Sequence, residues 1–528
     1  MNNLFEMGKT SATGSYKVFA ATTASTIIMA IGSIIVSRLI GPEDYGLYSI
    51  ALIPSNIIII FRGLGIDAAI TKYSATLKAQ NMQEKAREII TAGLLFEVLS
   101  GFLLTLLLIL LSNFIAFTIF RRSVSSPLIS LVSITIFLGA IITASQSSFK
   151  GLERMELYSL TILCQATVKT FASSLLVFIG YGALGLAVGY LTSFIVTALV
   201  SLLLLWTLIF KNMKKDKIQK TDFTKNWKRM LSYGVPLHIS SIIIGFLAQF
   251  YAFIMAIYCT TTLIGNYQIA TQFAILLTLV TTPISTVLFP IFSKIDPKME
   301  VELLQTVFSF SVKYTAIILV PATAAVMALS HPMINTIFGE KWATAPYFLT
   351  LYVIGNLYAL FGNLSLDNFL AGIGETKIQM KLSLITLAFG IPLAFLLLPP
   401  FGLSGLIAGS IVSRAPAIFI GLHWVRKKYK VKISFASSFK ILSASAIAAL
   451  AAFLAISLTA FADWIDLAIG GFTFIAAYLI LAPLIGAITP CDIKNLKALF
   501  SGLGLPSKII NLPLVAMEKL SDAFGRLS

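Results

Sequence analysis

Long apolar runs separated by short polar gaps occupy almost the whole of this 528-residue chain. A helix needs about 20 apolar residues to cross the hydrocarbon core of a bilayer. We place fourteen predicted spans at 16–40, 45–66, 89–111, 127–148, 158–180, 182–209, 231–258, 266–290, 308–330, 345–368, 379–399, 402–424, 441–460 and 465–488. The pattern therefore predicts an all-α polytopic membrane protein.

Lysine and arginine collect in every second gap between these spans, and the gap from Lys211 to Arg229 is the densest. Because basic loops are retained on the cytoplasmic side during insertion, we expect a multi-pass protein of the plasma membrane with both termini in the cytoplasm. The first apolar run is too long for a signal peptide and has no A-x-A-like cleavage site. It is therefore predicted to remain as the first helix.

The composition excludes an ordinary soluble domain, since the mean hydropathy is +0.91 and only 12% of the residues are charged. The formal charge of +17 is scattered over many short loops, which favours anionic membrane lipids over nucleic acid as partners. Three cysteines form no disulfide framework, and three dispersed histidines do not predict a metal site. The sequence also lacks a Walker loop, a dinucleotide fingerprint and an H-E-x-x-H motif. We expect no cofactor and no metal ion.

Short motifs recur in the same order at a nearly constant offset. The offsets are 219, 218 and 220 for three motif pairs: Gly46–Ala51 with Gly265–Ala270, Thr118–Phe120 with Thr336–Phe338, and Gly182–Leu186 with Gly402–Leu406. The offset spans six predicted helices, and an even number keeps both copies in the same orientation. The sequence thus predicts two six-helix lobes related by a parallel pseudo-two-fold repeat, with two C-terminal helices appended.

This repeat defines the predicted domains. They are an N-terminal lobe at 1–210, a basic cytoplasmic linker at 211–230, a C-terminal lobe at 231–425, two additional helices at 426–490 and a cytoplasmic tail at 491–528. The tail is compatible with an interfacial helix or with disorder. Two-lobed membrane proteins of this type are mostly transporters that rock one half against the other around a midplane site.

The junction between the first two spans resembles that of a known family. Arg38–Tyr48 (RLIGPEDYGLY) resembles the R-x-L-G-P-E-x-Y-G-x-Y junction of polysaccharide-biosynthesis flippases in the multidrug/oligosaccharidyl-lipid/polysaccharide (MOP) superfamily. Gly63–Tyr73 (GLGIDAAITKY) is similar to that family's end of the second helix. Gly41, Pro42 and the acids that follow them also suit a helix boundary. The resemblance implies alternating access, with a sugar-diphosphate headgroup crossing through a central cationic cavity.

Four basic residues inside or at the ends of spans are the candidate substrate contacts. Arg414 and Lys169 fall near the middle of their spans, Arg62 lies towards a cytoplasmic end and Arg38 towards an outer end. A charge inside a membrane faces a water-filled cavity or a partner by default, and an anionic headgroup requires fixed cations. For Arg38 and Arg62 the alternative is that they extend to the membrane interfaces.

Two acids and a polar stripe complete the candidate site. Glu97 and Asp367 are candidates to balance Lys169 or Arg414, or to bind H⁺ or Na⁺ as a coupling ion, but a structural ion pair or an interfacial carboxylate is the favoured interpretation. Spacings of 4, 7 and 4 residues would place one group of polar side chains on a single face of a continuous helix, where they could bind sugar hydroxyls. This group consists of Tyr352, Asn356, Asn363 and Asp367.

The leading hypothesis is a flippase, not an enzyme, that carries lipid-linked oligosaccharides from the cytoplasmic to the outer leaflet for glycan assembly. A multidrug or small-molecule exporter of the same superfamily is the near alternative, but it would favour acids or aromatics over the deep basic residues found here. A membrane-embedded glycosyltransferase or polymerase usually needs a sizeable extramembrane loop or clustered acids. The longest gaps in this chain are only about 20 residues by the same span estimate.

Overall fold

The computed structural model describes residues 2–207, 211, 222–297, 299–431, 433–459, 461–500, 515 and 517–518, with side chains for most of them from Lys17 onward. Almost all of the described residues are helical, and no strand occurs among them. They form two compact units, unit 1 at Met1–Gly265 and unit 2 at Asn266–Ser528. Large parts of the predicted linker and of the predicted tail lie outside the described residues.

Unit 1 is built from eight helices, and a π-helical turn at Ile115–Ile119 extends the fourth. Their bounds are α1 (Asn2–Leu39), α2 (Pro42–Ile59), α3 (Ile66–Ala79), α4 (Gln83–Phe114), α5 (Ser125–Gly151), α6 (Met155–Phe178), α7 (Gly182–Leu205) and α8 (Phe223–Tyr258). Helix α5 lies in the middle of this unit, because it packs against α2, α3, α4 and α7.

The remaining helices belong to unit 2, apart from the first residues of α9. Their bounds are α9 (Thr261–Lys294), α10 (Val301–Phe338), α11 (Ala345–Val353), α12 (Asn363–Gly372), α13 (Thr376–Val412), α14 (Arg414–Tyr429), α15 (Phe435–Thr459), α16 (Asp463–Leu484) and α17 (Pro490–Phe500). Helix α10 holds this unit together through contacts with α11, α12, α15 and α16.

The predicted fold class is confirmed. Each predicted span overlaps a helix among the described residues, and in the described part of the chain nine helices are long and apolar enough to cross a membrane, or ten if one bent pair counts as a span. Large apolar side chains remain exposed along several of these helices, as lipid-facing surfaces require. Examples are Phe102, Leu103, Leu110, Phe171, Phe178, Leu458 and Phe472. The chain is a multi-pass membrane protein.

The first helix boundary follows from local sequence. Gly41 precedes α2 in an extended conformation, Pro42 occupies the first turn, and Glu43 and Asp44 lie beside the amino terminus of the helix. Proline lacks the N–H that would be unsatisfied there, and the acids complement the positive end of the helix dipole. The junction motif therefore acts as a helix start.

Two predicted spans are not continuous helices. Span 45–66 ends its α2 portion at Ile59, and Gly63, Leu64 and Gly65 all adopt positive φ before α3 begins. Span 345–368 passes from α11 into a 3₁₀ helix at Ile354–Phe361 and then breaks at Gly362, with a bend of 58°. Irregular backbone at membrane depth is tolerated only where it is buried in protein or lines a cavity.

The break at Gly362 overturns the expected single polar face. Tyr352 lies on α11, Asn356 on the 3₁₀ helix, and Asn363 and Asp367 on α12. The 3₁₀ helix has three residues per turn and the bend redirects α12, so a spacing of 4, 7 and 4 no longer places these side chains on one face. The prediction of a continuous helical stripe was wrong for this reason.

The boundary between the two compact units, after Gly265, differs from the predicted start of the second lobe at residue 231. The sequence repeat assigns span 231–258 to the second lobe, whereas α8 packs against α2, α3 and α4 in unit 1. The lobe limits derived from the repeat stay a prediction.

Candidate functional site

Arg62 is held inside unit 1 at the break between α2 and α3. Its Nη1 donates to the carbonyl oxygen of Ile136 at 3.1 Å and its Nη2 donates to Oγ1 of Thr143 at 2.7 Å, both on α5. Its Nε lies 3.5 Å from Oε2 of Glu97 on α4, and the exposed fractions of the two side chains are only 10% and 2%. Arg62 thus connects the segment between α2 and α3 to α4 and α5 through an ion pair and two hydrogen bonds.

This arrangement limits what Arg62 and Glu97 can do for a ligand. Glu97 pairs with Arg62 and not with Lys169 or Arg414, so the geometry matches the structural alternative for this acid. A buried ion pair with additional hydrogen bonds is costly to open. A direct contact between Arg62 and a substrate would therefore require these bonds to rearrange. His238 of α8 also contacts this segment, because its Nε2 lies at hydrogen-bond distance, 2.7 Å, from the carbonyl oxygen of Ile60.

Lys169 lies on α6 beside a group of aromatic rings. Its Nζ is 5.0 Å from the centroid of the Tyr190 ring on α7, which is the distance of a cation–π contact. The Tyr190 ring meets Phe194 at 4.9 Å and Tyr48 of α2 at 6.3 Å between centroids. Within the described part of the chain, Lys169 forms no ion pair and no hydrogen bond. We call Lys169, Tyr190 and Tyr48 the lysine cluster.

Arg414 is the first residue of α14, and its side chain is exposed. It interacts electrostatically with Asp367 of α12 and with the hydroxyl groups of Tyr267 and Tyr358. The Tyr267 ring meets Tyr352 at 6.2 Å between centroids. Among the described residues, Arg414 has neither a direct ion pair nor a hydrogen bond. We call Arg414, Asp367, Tyr267 and Tyr352 the arginine cluster.

The irregular backbone of unit 2 positions this cluster. Tyr358, on the 3₁₀ helix, donates its hydroxyl to the carbonyl oxygen of Ile411 at 3.1 Å, two residues before Ser413, which separates α13 from α14. Gly362 then turns the chain into α12, which carries Asp367. The bent segment around Gly362 and the junction between α13 and α14 therefore both contribute residues to the cluster.

The other predicted substrate contacts, which belong to neither cluster, are Arg38, Asn356 and Asn363. Arg38 is in the last turn of α1 with an exposed side chain, where a cation complements the negative end of the helix dipole. Asn356 and Asn363 are half-buried on the two sides of the turn at Gly362. The described residues contain no group of three His, Cys, Asp or Glu side chains that could hold a metal ion.

The sequence-based prediction missed the tyrosines Tyr48, Tyr190, Tyr267 and Tyr358. A signal for two of them was available, because Tyr48 and Tyr267 occupy the same position of the repeated Gly-x-Tyr-x-Ile-Ala motif. Tyrosine also suits the membrane–water interface, where one end of the side chain is apolar and the hydroxyl meets water, so residue type alone does not mark these positions. Only the three-dimensional arrangement places them beside the cations.

Residues 35–346 match the family model described as polysaccharide biosynthesis protein, which covers more than half of the chain. The chain belongs to the polysaccharide biosynthesis protein family.

Individual relatives of this polysaccharide biosynthesis protein are distant. The uncharacterized membrane protein MJ1068 of Methanocaldococcus jannaschii is 23% identical over 378 residues, covering 69% of this chain and 73% of the relative. The probable low-salt glycan biosynthesis flippase Agl15 of Haloferax volcanii is 21% identical over 222 residues, covering 41% of this chain but only 46% of the relative. The lipid II flippase MurJ, in an inward closed conformation, superposes with a TM-score of 0.66 at 18% identity and covers 88% of this chain and 98% of MurJ. The fold is thus shared with MurJ.

Proposed function

We propose that this protein is a flippase that moves lipid-linked oligosaccharides, joined to their lipid through a diphosphate, from the cytoplasmic to the outer leaflet. The observation that carries the proposal is the presence of two cations, Lys169 and Arg414, on membrane-spanning helices without an ion pair or hydrogen bond among the described residues. The name of Agl15, a probable glycan biosynthesis flippase, and the shared fold with a lipid II flippase support the same function.

Such a task requires no covalent chemistry. A charged headgroup loses its hydration when it enters hydrocarbon, and this desolvation is costly unless charges and hydrogen-bond donors replace the water. Lys169 and Arg414 would supply positive charge, and the tyrosines beside them would donate hydroxyl groups to the headgroup. Four further residues remain proposed substrate contacts, with less support than Lys169 and Arg414: Arg38, Arg62, Asn356 and Asn363. The lipid tail would remain in the bilayer, next to exposed apolar helix faces.

The direction of transport rests on the proposed orientation. The alternation of basic gaps supports an orientation in the plasma membrane with both termini and the linker at 211–230 on the cytoplasmic side. The repeat at an offset of about 219 residues supports alternating access by two lobes, at 1–210 and 231–425. A coupling ion, H⁺ or Na⁺, would need a carboxylate, and Glu97 and Asp367 are the proposed candidates.

The test is leaflet translocation of a radiolabelled lipid-linked oligosaccharide in liposomes that contain the purified protein. We expect transport by the wild type and a loss of at least about tenfold in Lys169→Ala and Arg414→Ala, the size expected when one charge-assisted contact is removed. Each variant has a matched control. Lys150→Ala removes another lysine that lies over a tyrosine, at 5.2 Å from the Tyr158 ring, and Arg426→Ala removes an exposed cation from the same helix as Arg414.

The outcomes separate the candidate functions. Unchanged transport in both variants would show that the headgroup binds at other residues. If the wild type fails to move any glycolipid and instead exports organic cations, the protein is a drug exporter and the proposal is overturned. Protease accessibility of a C-terminal tag in right-side-out vesicles would check the orientation, since a cytoplasmic tail stays protected.

A further inference from the structure

Two tyrosines and two cations meet where α3 and α8 pack together in unit 1. The Tyr73 ring of α3 and the Tyr233 ring of α8 contact edge-to-face, with 5.9 Å between their centroids and 62° between their planes. Nζ of Lys72 lies 3.8 Å from the centroid of the Tyr233 ring, and Cζ of Arg229 lies 4.4 Å from that of the Tyr73 ring. Each helix thus places a cation over the tyrosine of the other. We call these four residues the Lys72–Arg229 cluster.

The cluster holds two positive charges close to one aromatic pair. Lys72 and Arg229 have exposed side chains and belong to none of the ion pairs among the described residues. Lys78, further along α3, instead pairs with Glu153 at 2.7 Å. Lys72 also lies 5.8 Å from the Tyr73 centroid, so both cations border the same ring. A tyrosine ring attracts a cation but carries no net charge, and an anion that contacts both cations would offset their repulsion.

The start of α8 lies at the level of a membrane surface. This helix has 36 residues, which gives it a length of about 54 Å, whereas the hydrocarbon core is only about 30 Å thick. Its polar first turns (FTKNWKR) therefore extend beyond the hydrocarbon. They contain Trp227, whose indole N–H donates to the carbonyl oxygen of Ala92 at 2.8 Å, and tryptophan and tyrosine are enriched at membrane surfaces. In the proposed orientation this surface is the cytoplasmic one.

An apolar side chain continues the same face of α8 towards the hydrocarbon. Arg229, Tyr233 and Leu237 follow one another at intervals of four residues, so they lie on one helical face over about 12 Å. Arg229 is exposed, Tyr233 is half-buried and Leu237 is 48% exposed. The order along this face is a cation, an aromatic ring and an aliphatic chain. A phospholipid presents its phosphate, its glycerol backbone and its acyl chains in the matching order.

We propose that the Lys72–Arg229 cluster binds the phosphate of an anionic membrane phospholipid such as phosphatidylglycerol, and that this lipid holds α3 and α8 together. Basic sites between membrane helices at the cytoplasmic surface are suited to anionic headgroups. A lipid that contacts both cations bridges the two helices, because Lys72 belongs to α3 and Arg229 to α8. The lipid is a structural partner and not the transported substrate, so the inference does not depend on the proposed flippase function.

Native mass spectrometry of the purified full-length protein in a non-ionic detergent measures the affinity for single lipids. The probes are dioleoyl phosphatidylglycerol, dioleoyl phosphatidylcholine with the same acyl chains, and a sugar-free polyprenyl diphosphate. The variants are Lys72→Gln and Arg229→Gln, and Lys72→Arg is the rescue variant that keeps the charge. Lys78→Gln and Lys228→Gln are the controls, since each removes an exposed lysine from the same helix as one of the two cations but outside the cluster.

The expected results distinguish the cluster from general surface charge. Lys72→Gln and Arg229→Gln should each weaken phosphatidylglycerol binding about fivefold, the factor typical for one basic residue at an anionic membrane surface, and leave phosphatidylcholine binding unchanged. Lys72→Arg and both controls should bind phosphatidylglycerol like the wild type. This lipid should also raise the midpoint of thermal unfolding of the wild type more than phosphatidylcholine does, because a ligand of the folded state stabilises it. The extra rise should shrink in both cluster variants.

Several outcomes would overturn the proposal. Equal weakening by Lys78→Gln and Lys228→Gln would mean that phosphatidylglycerol responds only to the overall positive charge. Equal loss of phosphatidylcholine binding in the cluster variants would mean that the cluster does not recognise an anion. Weaker binding of the polyprenyl diphosphate with unchanged phosphatidylglycerol binding would assign Lys72 and Arg229 to the transported substrate instead. A wild type that binds phosphatidylglycerol no more tightly than phosphatidylcholine would also refute the site.

Discussion

Gly46 and Gly265 lie against each other's backbone where α2 and α9 begin. A Cβ atom added to Gly46 would overlap the carbonyl oxygen of Thr261, and one added to Gly265 would overlap the carbonyl oxygen of Pro42. The relationship is reciprocal, since Gly46 and Gly265 are 219 residues apart and so are Pro42 and Thr261. The same turn of the repeated motif thus contacts its own copy. Small residues permit such close backbone approach between membrane helices.

Replacement of Gly46 by alanine should destabilise the protein. The overlapping atoms belong to backbone, which cannot rotate away as a side chain can, so the two helix starts must separate. Overpacking of this type costs about 1–3 kcal/mol, and alanine returns only about 1 kcal/mol through its higher helix propensity. We therefore expect a lower midpoint of thermal unfolding for Gly46→Ala and Gly265→Ala in detergent.

Gly471→Ala is the matched control for this effect. Gly471 also lies inside a helix, α16, but a Cβ atom there would meet nothing within 4 Å. The gain in helix propensity should therefore appear without a clash, and the midpoint should stay equal or rise. If Gly46→Ala behaves like Gly471→Ala, the backbone of Thr261 does not lie in van der Waals contact with Gly46.

The sequence predicted those parts of this fold that depend on local chemistry. Apolar length located every described helix that is long and apolar enough to cross a membrane, and Gly41 with Pro42 located the start of α2. The repeated motif also contained Gly46 and Gly265, although their contact could not be predicted, because spacing along the chain does not specify which helix ends approach each other.

The sequence did not predict the 3₁₀ segment and the bend at Gly362, and the reason is physical. The segment 354–361 (IGNLYALF) is as apolar as a regular span, and hydropathy does not distinguish a 3₁₀ helix from an α-helix. Arg62 illustrates the same limit at the candidate site, since its partners on α4 and α5 are far away in sequence and are set by packing. The clusters of tyrosines beside Lys169 and Arg414 likewise arise only from tertiary structure.

Glu97→Gln should be strongly destabilising because it leaves Arg62 charged, buried and without its carboxylate. Removal of one partner of a buried ion pair costs about 3–5 kcal/mol. Glu156→Gln is the control, since Glu156 pairs with Lys17 at 3.8 Å and both side chains are largely exposed, 43% and 56%. Exposed pairs contribute little. Chemical unfolding of both variants measures the difference, and similar midpoints would refute a structural role for the Arg62–Glu97 pair.

Glu375 should make stability depend on pH on the acidic side of its ordinary pKa. A hydrogen bond from Lys428 holds the pKa of the Glu375 carboxyl below its ordinary value of 4.5, and the Tyr429 hydroxyl acts in the same direction. The unfolded chain therefore binds this proton more readily, so the stabilisation is complete above about pH 4.5 and is lost as the pH falls through the lower folded pKa.

Glu375→Gln removes this titration and tests its sign. Thermal unfolding midpoints of the wild type should fall more steeply than those of Glu375→Gln as the pH is lowered from 5 to about 3. The difference between the two proteins should be largest near neutral pH. A constant difference over this range would show that the Lys428 contact does not depend on the charge of Glu375.

Asp492 anchors the last described helix, α17, to α10. Its Oδ2 accepts hydrogen bonds from Nζ of Lys313 at 2.6 Å and from the backbone N–H and the hydroxyl of Thr489 at 2.8 and 2.6 Å. The exposed fraction of the Asp492 side chain is 4%, and the neighbouring Ile493 is fully buried. This carboxylate therefore both caps α17 and pairs with a membrane helix.

Asp492→Ala should release α17 while the rest of the protein stays folded. The variant loses the helix cap and leaves Lys313 without its carboxylate, and removal of a cap alone costs about 1 kcal/mol. Amide hydrogen exchange should accelerate at least about fivefold within 490–500, since local opening sets the exchange rate there, and should stay unchanged in the central part of α10. Lys494→Gln, at an exposed position of the same helix, should exchange like the wild type. Unaltered protection of α17 in Asp492→Ala would mean that apolar contacts such as those of Ile493 hold the helix without the ion pair.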